Sequence, residues 1–238
     1  MKYKFQDLIV YEDDHFGVIN KPAFMASMED RGGAMDVQRL AKQHDSDWQV
    51  CHRLDKETSG CLLIAKNEAA YRHASIQFEK RSIEKTYLAV AHGQHEFKSK
   101  EIDAPIAALP KGLARIDQRS GKPARTIVTT QELFRKHTLF SCRPVTGRMH
   151  QIRLHLAMLG APLVNDPLYK GAPLYLSELK RKFNLKKDTE ERPLIQRFAL
   201  HASALTFHNM EVQVRVEAEL PKDMAVLLKQ LKKYHSNR

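Results

Sequence analysis

Residues 52–65, HRLDKETSGCLLIA, place a polar turn directly before a strand-like apolar run. The preceding residues 47–54 alternate in polarity, which predicts a strand that leads into the turn. Residues 60–65 are continuously apolar, as is typical of a buried strand. Asp55 therefore comes at a strand end, where its carboxylate is expected to face a cleft. From the local pattern alone, a turn aspartate that accepts backbone N–H bonds is the favoured interpretation.

The flanking segments predict further strands and short helices. Before the turn, residues 8–20 (LIVYEDDHFGVIN) predict two strands around an acidic turn, and residues 35–42 predict a short helix. After it, Asn67 is a good helix cap, and the apolar residues that follow it recur at helical spacing. Residues 85–91 (KTYLAVA) then predict a strand.

The second half of the chain shows the same alternation of hairpins and helices. Residues 126–134 and 138–145 predict an antiparallel pair, and residues 198–207 and 210–218 predict a second hairpin. Between the pairs, an apolar stripe at helical spacing predicts an amphipathic helix over residues 149–159, with Gly160 at its stop position.

Three other segments are less regular or lie near the C-terminus. Residues 92–125 contain strands that the pattern does not place. Residues 180–192 are strongly polar and predict an exposed loop or a frayed helix end. Pro221 is expected to open a C-terminal helix with a basic end.

Strands that arrive mostly in hairpins, with helices between groups of them, predict an α+β fold. We expect a mixed, largely antiparallel sheet with flanking helices and loops. No internal repeat or low-complexity block is visible, so a single domain over residues 1–238 is expected.

The composition excludes several classes of protein. The chain has 238 residues, of which 42% are hydrophobic, and 39 Lys and Arg oppose 28 Asp and Glu, for a formal net charge of +11. This excludes disorder as the main state. No run is long enough to span a membrane, and the first residues lack the apolar run of a signal peptide, so a cytoplasmic protein is expected. The excess of basic residues favours a polyanionic partner.

The sequence motifs of several classes of enzyme are absent. The three cysteines are widely spaced, which indicates free thiols rather than disulfides or a zinc site. His150 and His155 are five residues apart, whereas zinc-binding pairs on a helix use a spacing of four, so no metal site is expected. Ser59 lies outside a G-x-S-x-G elbow, and no glycine-rich nucleotide-binding motif is present.

Two further residues, Arg153 and Tyr87, can be interpreted as either functional or structural. Arg153 lies beside the apolar stripe of the predicted helix, where its side chain either extends to solvent or pairs with a carboxylate. Tyr87 opens a predicted strand, where tyrosine usually serves packing.

Taken together, these segments resemble the RluA-type RNA pseudouridine synthases. The resemblance rests on LIVYEDDHFGVINKP, HRLDKETSG, KTYLAV, TGRMHQIRLHLAMLGAPLVNDPLYKG and LHASALTF, in that order over residues 8–217. It implies a pseudouridine synthase fold with a central RNA-binding cleft and no cofactor. It also implies that the chain lacks the small N-terminal RNA-binding domain of some members.

The resemblance also implies roles for individual residues. Asp55 matches the catalytic aspartate, Tyr87 the active-site tyrosine, and Arg153 the basic residue that pairs with the aspartate and keeps it ionised. Leu205 matches an apolar residue that lines the uracil pocket. The expected reaction is the isomerisation of specific uridines to pseudouridine in structured RNA, either rRNA or tRNA, by a monomer that does not bind a membrane.

Four residues next to these motifs are expected to contact RNA. Arg53 and Arg148 are candidates for phosphate or base contacts, and His52 and His150 are equally compatible with structural roles. The alternative from another class is a noncatalytic RNA-binding or ribosome-assembly protein that keeps the fold. The presence of Asp55 favours the enzyme.

Two loops depart from the family pattern. Ala23 and Phe24 stand where a glycine is usual after Lys21-Pro22, and Asn165 stands at a usual glycine position before Asp166. Both changes are expected to alter loop shape. Asparagine tolerates the left-handed backbone conformation that phenylalanine disfavours.

Overall fold

A computed structural model describes residues 3–29, 34–185 and 189–235. The strands in this part of the chain are β1 (Ile9–Glu12), β2 (Phe16–Lys21), β3 (Gln49–Val50), β4 (Ser59–Ala65), β5 (Glu84–His92), β6 (Lys100–Asp103), β7 (Ile106–Leu109), β8 (Leu113–Ile116), β9 (Arg125–Leu133), β10 (His137–Pro144), β11 (Leu200–His208) and β12 (Gln213–Glu217). The α-helices are α1 (Val37–His44), α2 (Glu68–Glu79), α3 (Gln151–Met158), α4 (Leu176–Leu179) and α5 (Lys222–His235). The elements are those of an α+β protein with largely antiparallel strand pairs, as predicted.

The chain divides into two compact units. The first consists of Met1–Thr86 with His201–Leu220, and the second of Tyr87–Leu200 with Pro221–Arg238. The chain passes from the first unit to the second within β5. The single domain expected from the sequence stays a prediction.

The first unit contains a mixed sheet. Its strands follow the order β1, β2, β4, β11, with β12 paired to β11 and β3 paired to β4. Strand β2 is antiparallel to β4, whereas β11 runs parallel to it. All seven residues of β4 are buried, as its continuous apolar run predicts. The core of this unit includes Phe16, Leu63, Ala74 and Phe207.

Gly60 permits the close approach of β4 and β11. Its φ is +113°, and a Cβ atom at this position would lie 2.1 Å from the carbonyl oxygen of Ala202. Because no side chain fits in that gap, the parallel pairing of Ala202 with Gly60 requires glycine.

The strand predicted over residues 47–54 is wrong in extent. Only Gln49–Val50 pair with β4, opposite Ala65 and Ile64. At the next position, the Leu63 carbonyl accepts from the Cys51 amide at 2.9 Å, while the Leu63 amide donates to His52 Nε2 at 3.0 Å. The His52 imidazole thus takes the place of a backbone acceptor and ends the strand.

The second unit contains an antiparallel sheet and a separate hairpin. The sheet has the strand order β5, β10, β9, β6, and only part of β5 belongs to this unit. The hairpin consists of β7 and β8. The predicted pair of residues 126–134 and 138–145 is confirmed as β9 and β10. The segment that the sequence did not place, residues 92–125, supplies β6, β7 and β8.

Helix α3 is confirmed in position but is buried instead of amphipathic. It starts two residues later than predicted, after His150, which has a φ of +53°. Its first six residues are all buried, because the helix packs against β8, β9, β10 and the turn at Pro167–Tyr169. The polar His155 is accommodated by contacts of its ring nitrogens with Thr126 Oγ1 at 2.9 Å and the Ala104 carbonyl at 3.0 Å.

The remaining helices follow their sequence signals. Asp36 caps α1 by accepting from the Arg39 amide, and Asn67 caps α2 by accepting from the Ala70 amide. Helix α5 begins directly after Pro221, as predicted. In the described parts of the chain, no helix is long and apolar enough to cross a bilayer.

The predicted hairpin of residues 198–207 and 210–218 is confirmed as β11 and β12. The described residues of the predicted exposed loop, 180–185 and 189–192, are irregular and mostly exposed; residues 186–188 of that loop lie outside the described residues. So do the last three residues of the basic C-terminal end.

Both loop positions that depart from the family pattern have a left-handed backbone. Asn165 has a φ of +58° and Phe24 a φ of +67°. Phenylalanine thus takes a conformation that glycine favours. The expected changes of loop shape at both positions stay predictions.

Burial keeps two imidazoles of the fold neutral. Desolvation, assisted by the nearby charge of Lys85, lowers the pKa of His52 to about 3. Desolvation, assisted by His92, His235 and Lys136, lowers the pKa of His137 to about 4. His137 is 3% exposed, and both of its ring nitrogens are buried without a hydrogen-bond partner among the described residues.

These two histidines predict a loss of stability in mild acid. Because both pKa values are lowered on folding, the unfolded chain binds protons more readily, and stability present above pH 6.5 decreases as the pH falls toward 4 and then 3. Each histidine lowers the free energy of unfolding by up to about 1.4 kcal/mol for each unit by which the pH falls. We expect His52→Gln, which keeps an acceptor for the Leu63 amide, and His137→Phe each to flatten this decrease in urea unfolding between pH 7.5 and 5. If the free energy of unfolding of each variant decreases with pH as steeply as that of the unchanged protein, these two histidines are not the cause of the decrease.

Candidate active site

The residues predicted to form the site are divided between the two units. The first unit contains His52, Arg53, Asp55 and Leu205. The second contains the other four, namely Tyr87, Arg148, His150 and Arg153.

The segment around Asp55 is an irregular loop that is fixed at several points of its backbone. Ser27, which is buried, both donates to the Leu54 carbonyl at 3.0 Å and accepts from the Leu54 amide at 2.9 Å. The Thr58 amide donates to the Asp55 carbonyl at 3.0 Å, which closes the turn before β4. The half-buried Asp55 side chain is therefore presented by a backbone with little freedom.

A buried ammonium connects this loop to the loop after β2. Lys21 is the last residue of β2 and is 0% exposed. Its Nζ donates to the carbonyl oxygens of Pro22 at 3.0 Å, Met25 at 2.7 Å and Lys56 at 3.2 Å. Because a buried charge requires such partners, these bonds hold both loops against the end of β2.

A surface depression lies beside this loop. It has a volume of about 210 Å³ and is lined by Ala26, Ser27, Met28, Glu29, Arg53, Leu54 and Lys56. The exposed Arg53 side chain and that of Lys56 make its rim cationic. The acidic Glu29 forms an ion pair with Arg39, which offsets its charge.

His52 and Leu205 have structural surroundings. The centre of the His52 ring lies 4.9 Å from that of the Phe78 ring, and His52 Nε2 accepts from the Leu63 amide. Leu205 is 1% exposed and belongs to the hydrophobic core of the first unit. The predicted contacts of both residues with RNA stay predictions. The hydrogen bond of His52 and the burial of Leu205 favour the structural interpretation.

In the second unit, Tyr87 lies near the centre of β5, opposite Cys142 of β10. Its side chain is only 9% exposed. Strand pairing fixes the backbone of Tyr87, and packing restricts its ring to a narrow range of orientations.

The turn before α3 is organised by Gln151. Its Oε1 accepts from the Thr146 hydroxyl at 2.7 Å and the Arg148 amide at 3.0 Å. Arg148 lies at the mouth of the helix, as predicted, and its Nε donates to the Pro123 carbonyl at 3.1 Å. The His150 Nδ1 is 2.7 Å from the Tyr169 hydroxyl, which itself donates to the Ala114 carbonyl at 3.2 Å. His150 thus takes part in the packing of this turn.

Arg153 does not extend to solvent, since it is 6% exposed. Its Nε and Nη2 donate to the two carboxylate oxygens of Asp166, each at 2.7 Å. The guanidinium carbon also lies 4.9 Å from the ring centre of Tyr169 and 4.1 Å from that of Phe198. A bidentate pair between two aromatic rings fixes both the position and the plane of the guanidinium.

Sequence reasoning did not assign a role to Lys21, Ser27 or Asp166. Lys21 and Asp166 lie within the quoted motifs, in VINKP and VNDPLYKG, so a signal was present for them. Ser27 had no signal, because its bonds to Leu54 join residues 27 apart. In residues 3–29, 34–185 and 189–235, no group of three or more His, Cys, Asp or Glu is placed to hold a metal ion.

All three cysteines are free thiols, as predicted. Cys61 and Cys142 are buried, and Cys51 is half-buried. Burial raises the pKa of Cys51 and of Cys61 to about 12, so neither is a thiolate nucleophile at neutral pH.

Comparison with known proteins agrees with the motifs. Residues 15–158 match the family model described as RNA pseudouridylate synthase. The chain is 35% identical over 227 residues to ribosomal large subunit pseudouridine synthase C of Salmonella typhimurium, covering 92% of this chain and 68% of that protein. It is also 35% identical over 224 residues to the Escherichia coli K12 protein of the same name, covering 91% and 67%.

Two solved structures share the fold. Human RNA pseudouridylate synthase domain containing 4 matches with a TM-score of 0.74 and 23% identity, over 96% of this chain and 95% of that one. Human RNA pseudouridylate synthase domain containing 1 matches with a TM-score of 0.70 and 24% identity, over 99% and 91%. The family model and the curated relatives, which extend over most of the chain, establish that this protein belongs to the RNA pseudouridylate synthase family and is a pseudouridine synthase.

Proposed function

We propose that this protein converts uridine to pseudouridine in large-subunit ribosomal RNA, with Asp55 as its catalytic carboxylate. The main support is the loop around Asp55, which matches the family motif and is held by Lys21, Ser27 and its own turn. A catalytic group must keep its position while a nucleotide enters and rotates, and a loop fixed in this way meets that need.

The reaction is an isomerisation that requires no cofactor. The bond between ribose C1′ and uracil N1 breaks, the base rotates, and a bond forms between C1′ and C5. The C5 proton is lost and N1 gains one, so the composition of the RNA does not change. Asp55 serves either as a nucleophile at the sugar or as a base for the 2′ proton, and both routes need an ionised carboxylate.

Arg153 is proposed as the cation that keeps Asp55 ionised. A guanidinium held by Asp166 and two aromatic rings retains its orientation, so it does not need to be reorganised during the reaction. Tyr87 is proposed to stack on the uracil and to assist removal of the C5 proton. Because Tyr87 lies in a paired strand, its backbone is fixed, which supports a ring with a constant orientation.

RNA contacts are proposed for the cationic residues near these motifs. Extraction of a stacked base costs a few kcal/mol, and contacts with phosphates offset that cost. Arg53 is exposed on the cationic rim of the depression, whereas Arg148 is half-buried and anchored to Pro123. Arg53 is thus the more accessible of the two. His52, His150 and Leu205 are proposed to support the site through packing.

The choice of large-subunit rRNA rests on the names of the relatives that match most of the chain. The net charge of +11 is in keeping with an RNA partner but does not distinguish rRNA from tRNA. We further propose that the protein acts in the cytoplasm as a monomer.

The first prediction concerns Asp55. A large-subunit rRNA transcript labelled with tritium at uridine C5 releases tritium when pseudouridine forms. Asp55→Asn is expected to lower the rate of release by at least about 100-fold, while the transcript still binds, because the amide keeps the size of the side chain without its charge. Asp14→Asn, an exposed aspartate in the β1–β2 turn, is the control and should be fully active. Normal release by Asp55→Asn would refute the assignment.

The second prediction separates the role of Arg153 in catalysis from its role in folding. Arg197 provides a matched control in the same unit, since it is also buried and its Nε and Nη2 donate to the two carboxylate oxygens of Asp223. Arg153→Lys and Arg197→Lys each lose a bidentate pair, and both are expected to lower the free energy of unfolding.

Only Arg153→Lys is expected to lower kcat, by at least about tenfold, in assays well below both unfolding transitions. Arg153→Ala should be less active still, because it also removes the charge. An equal loss of kcat in Arg153→Lys and Arg197→Lys would show that Arg153 acts through stability alone.

A further inference from the structure

Phe24 combines two unfavourable properties. Its side chain is 56% exposed, and it is the only aromatic residue among the exposed large hydrophobic residues of the described chain. Its φ of +67° lies in the left-handed region, which is strained for a bulky residue. Glycine would remove both the exposed apolar surface and the strain, so the fold does not account for phenylalanine here.

The turn that contains Phe24 is held in place beside the loop of Asp55. Lys21 Nζ donates to the carbonyls of Pro22 and Met25, which flank Phe24 on either side. The same ammonium donates to the carbonyl of Lys56, the residue after Asp55. An exposed aromatic ring is therefore borne on a rigid turn that shares its anchor with the catalytic loop.

The surroundings of this turn are cationic. The residues that follow Phe24 contribute Ala26, Ser27 and Met28 to the depression whose rim contains Arg53 and Lys56. The carboxylate of Glu29 in the same lining is paired with Arg39. The exposed ring of Phe24 thus lies on the same segment as residues that line a cationic depression. Proteins bind unpaired nucleotides with exposed aromatic rings and nearby cations, through stacking on the ring and phosphate contacts with the cations.

We propose that the Phe24 ring stacks against an unpaired base of the RNA, adjacent to the extracted uridine, and so contributes to substrate binding. This inference rests on the proposed function and adds to it a residue that binds the strand around the target. Extraction of one uridine leaves its neighbours without a stacking partner, and the ring replaces part of that lost stacking.

The test uses the full chain and the tritium-labelled large-subunit rRNA transcript at a fixed salt concentration. Phe24→Gly is expected to raise KM by about 5- to 150-fold, the range given by loss of one base–aromatic stack, with kcat retained. Phe24→Trp, which keeps an aromatic face, should have a KM close to that of the unchanged protein. The Tm of Phe24→Gly should be equal to or higher than that of the unchanged protein, because glycine takes the left-handed conformation without strain.

Met210→Gly is the matched control. Met210 is also apolar, 40% exposed and left-handed, with a φ of +88°, but it lies in the turn between β11 and β12. Its replacement should leave KM unchanged. A KM for Phe24→Gly within twofold of the unchanged protein, or an equal increase in Met210→Gly, would overturn the role of Phe24. A loss of kcat without a change of KM would overturn it as well.

Failure of the inference and failure of the proposed function give different results. If the unchanged protein releases no tritium from the transcript, the proposed rRNA substrate is wrong, and the role of Phe24 falls with it. If the unchanged protein is active and Phe24→Gly binds the transcript equally well, only the role of Phe24 is wrong. Transcript binding measured in the Asp55→Asn background should show the same weakening on Phe24→Gly.

Discussion

The buried ammonium of Lys21 is the interaction on which the loops around Asp55 depend. A charge with no exposure to water needs strong acceptors, and three carbonyl oxygens from two loops supply them. The same bonds give these loops, which have no regular secondary structure, defined positions at the end of β2. Ser27 reinforces this arrangement by bonding to both backbone groups of Leu54. The strained turn at Phe24 is retained because the surrounding bonds determine its shape.

In the second unit, a charged side chain is fixed by a carboxylate and aromatic rings instead of by backbone carbonyls. Arg153 is placed on a helix whose first six residues are all buried, and its guanidinium is held by Asp166 and by the rings of Tyr169 and Phe198. The Asp55 loop and the Arg153 helix are thus each rigid within their own unit. Pseudouridine formation requires cleavage of a glycosidic bond and rotation of the base without its release, and groups held in advance reduce the reorganisation that this demands.

Local sequence patterns predicted the elements whose stability is determined by nearby residues. The apolar run of β4, the cap at Asn67 and the proline before α5 all gave correct elements. The predicted strand over residues 47–54 was too long because the His52 side chain, and not a backbone carbonyl, accepts from the Leu63 amide. Burial of the first six residues of α3 depends on packing against strands β8, β9 and β10, which a helical pattern does not reveal. The pairing of Arg153 with Asp166 likewise joins residues 13 apart, and only the tertiary structure identifies it.

We propose above that this chain forms pseudouridine in large-subunit rRNA through Asp55. Pseudouridine mapping of rRNA and tRNA from cells with and without the gene tests it most directly. We expect at least one uridine of large-subunit rRNA to be unmodified without the gene. Its modification should be restored by the unchanged protein and not by Asp55→Asn. Identical rRNA maps with and without the gene, or full restoration by Asp55→Asn, would contradict it.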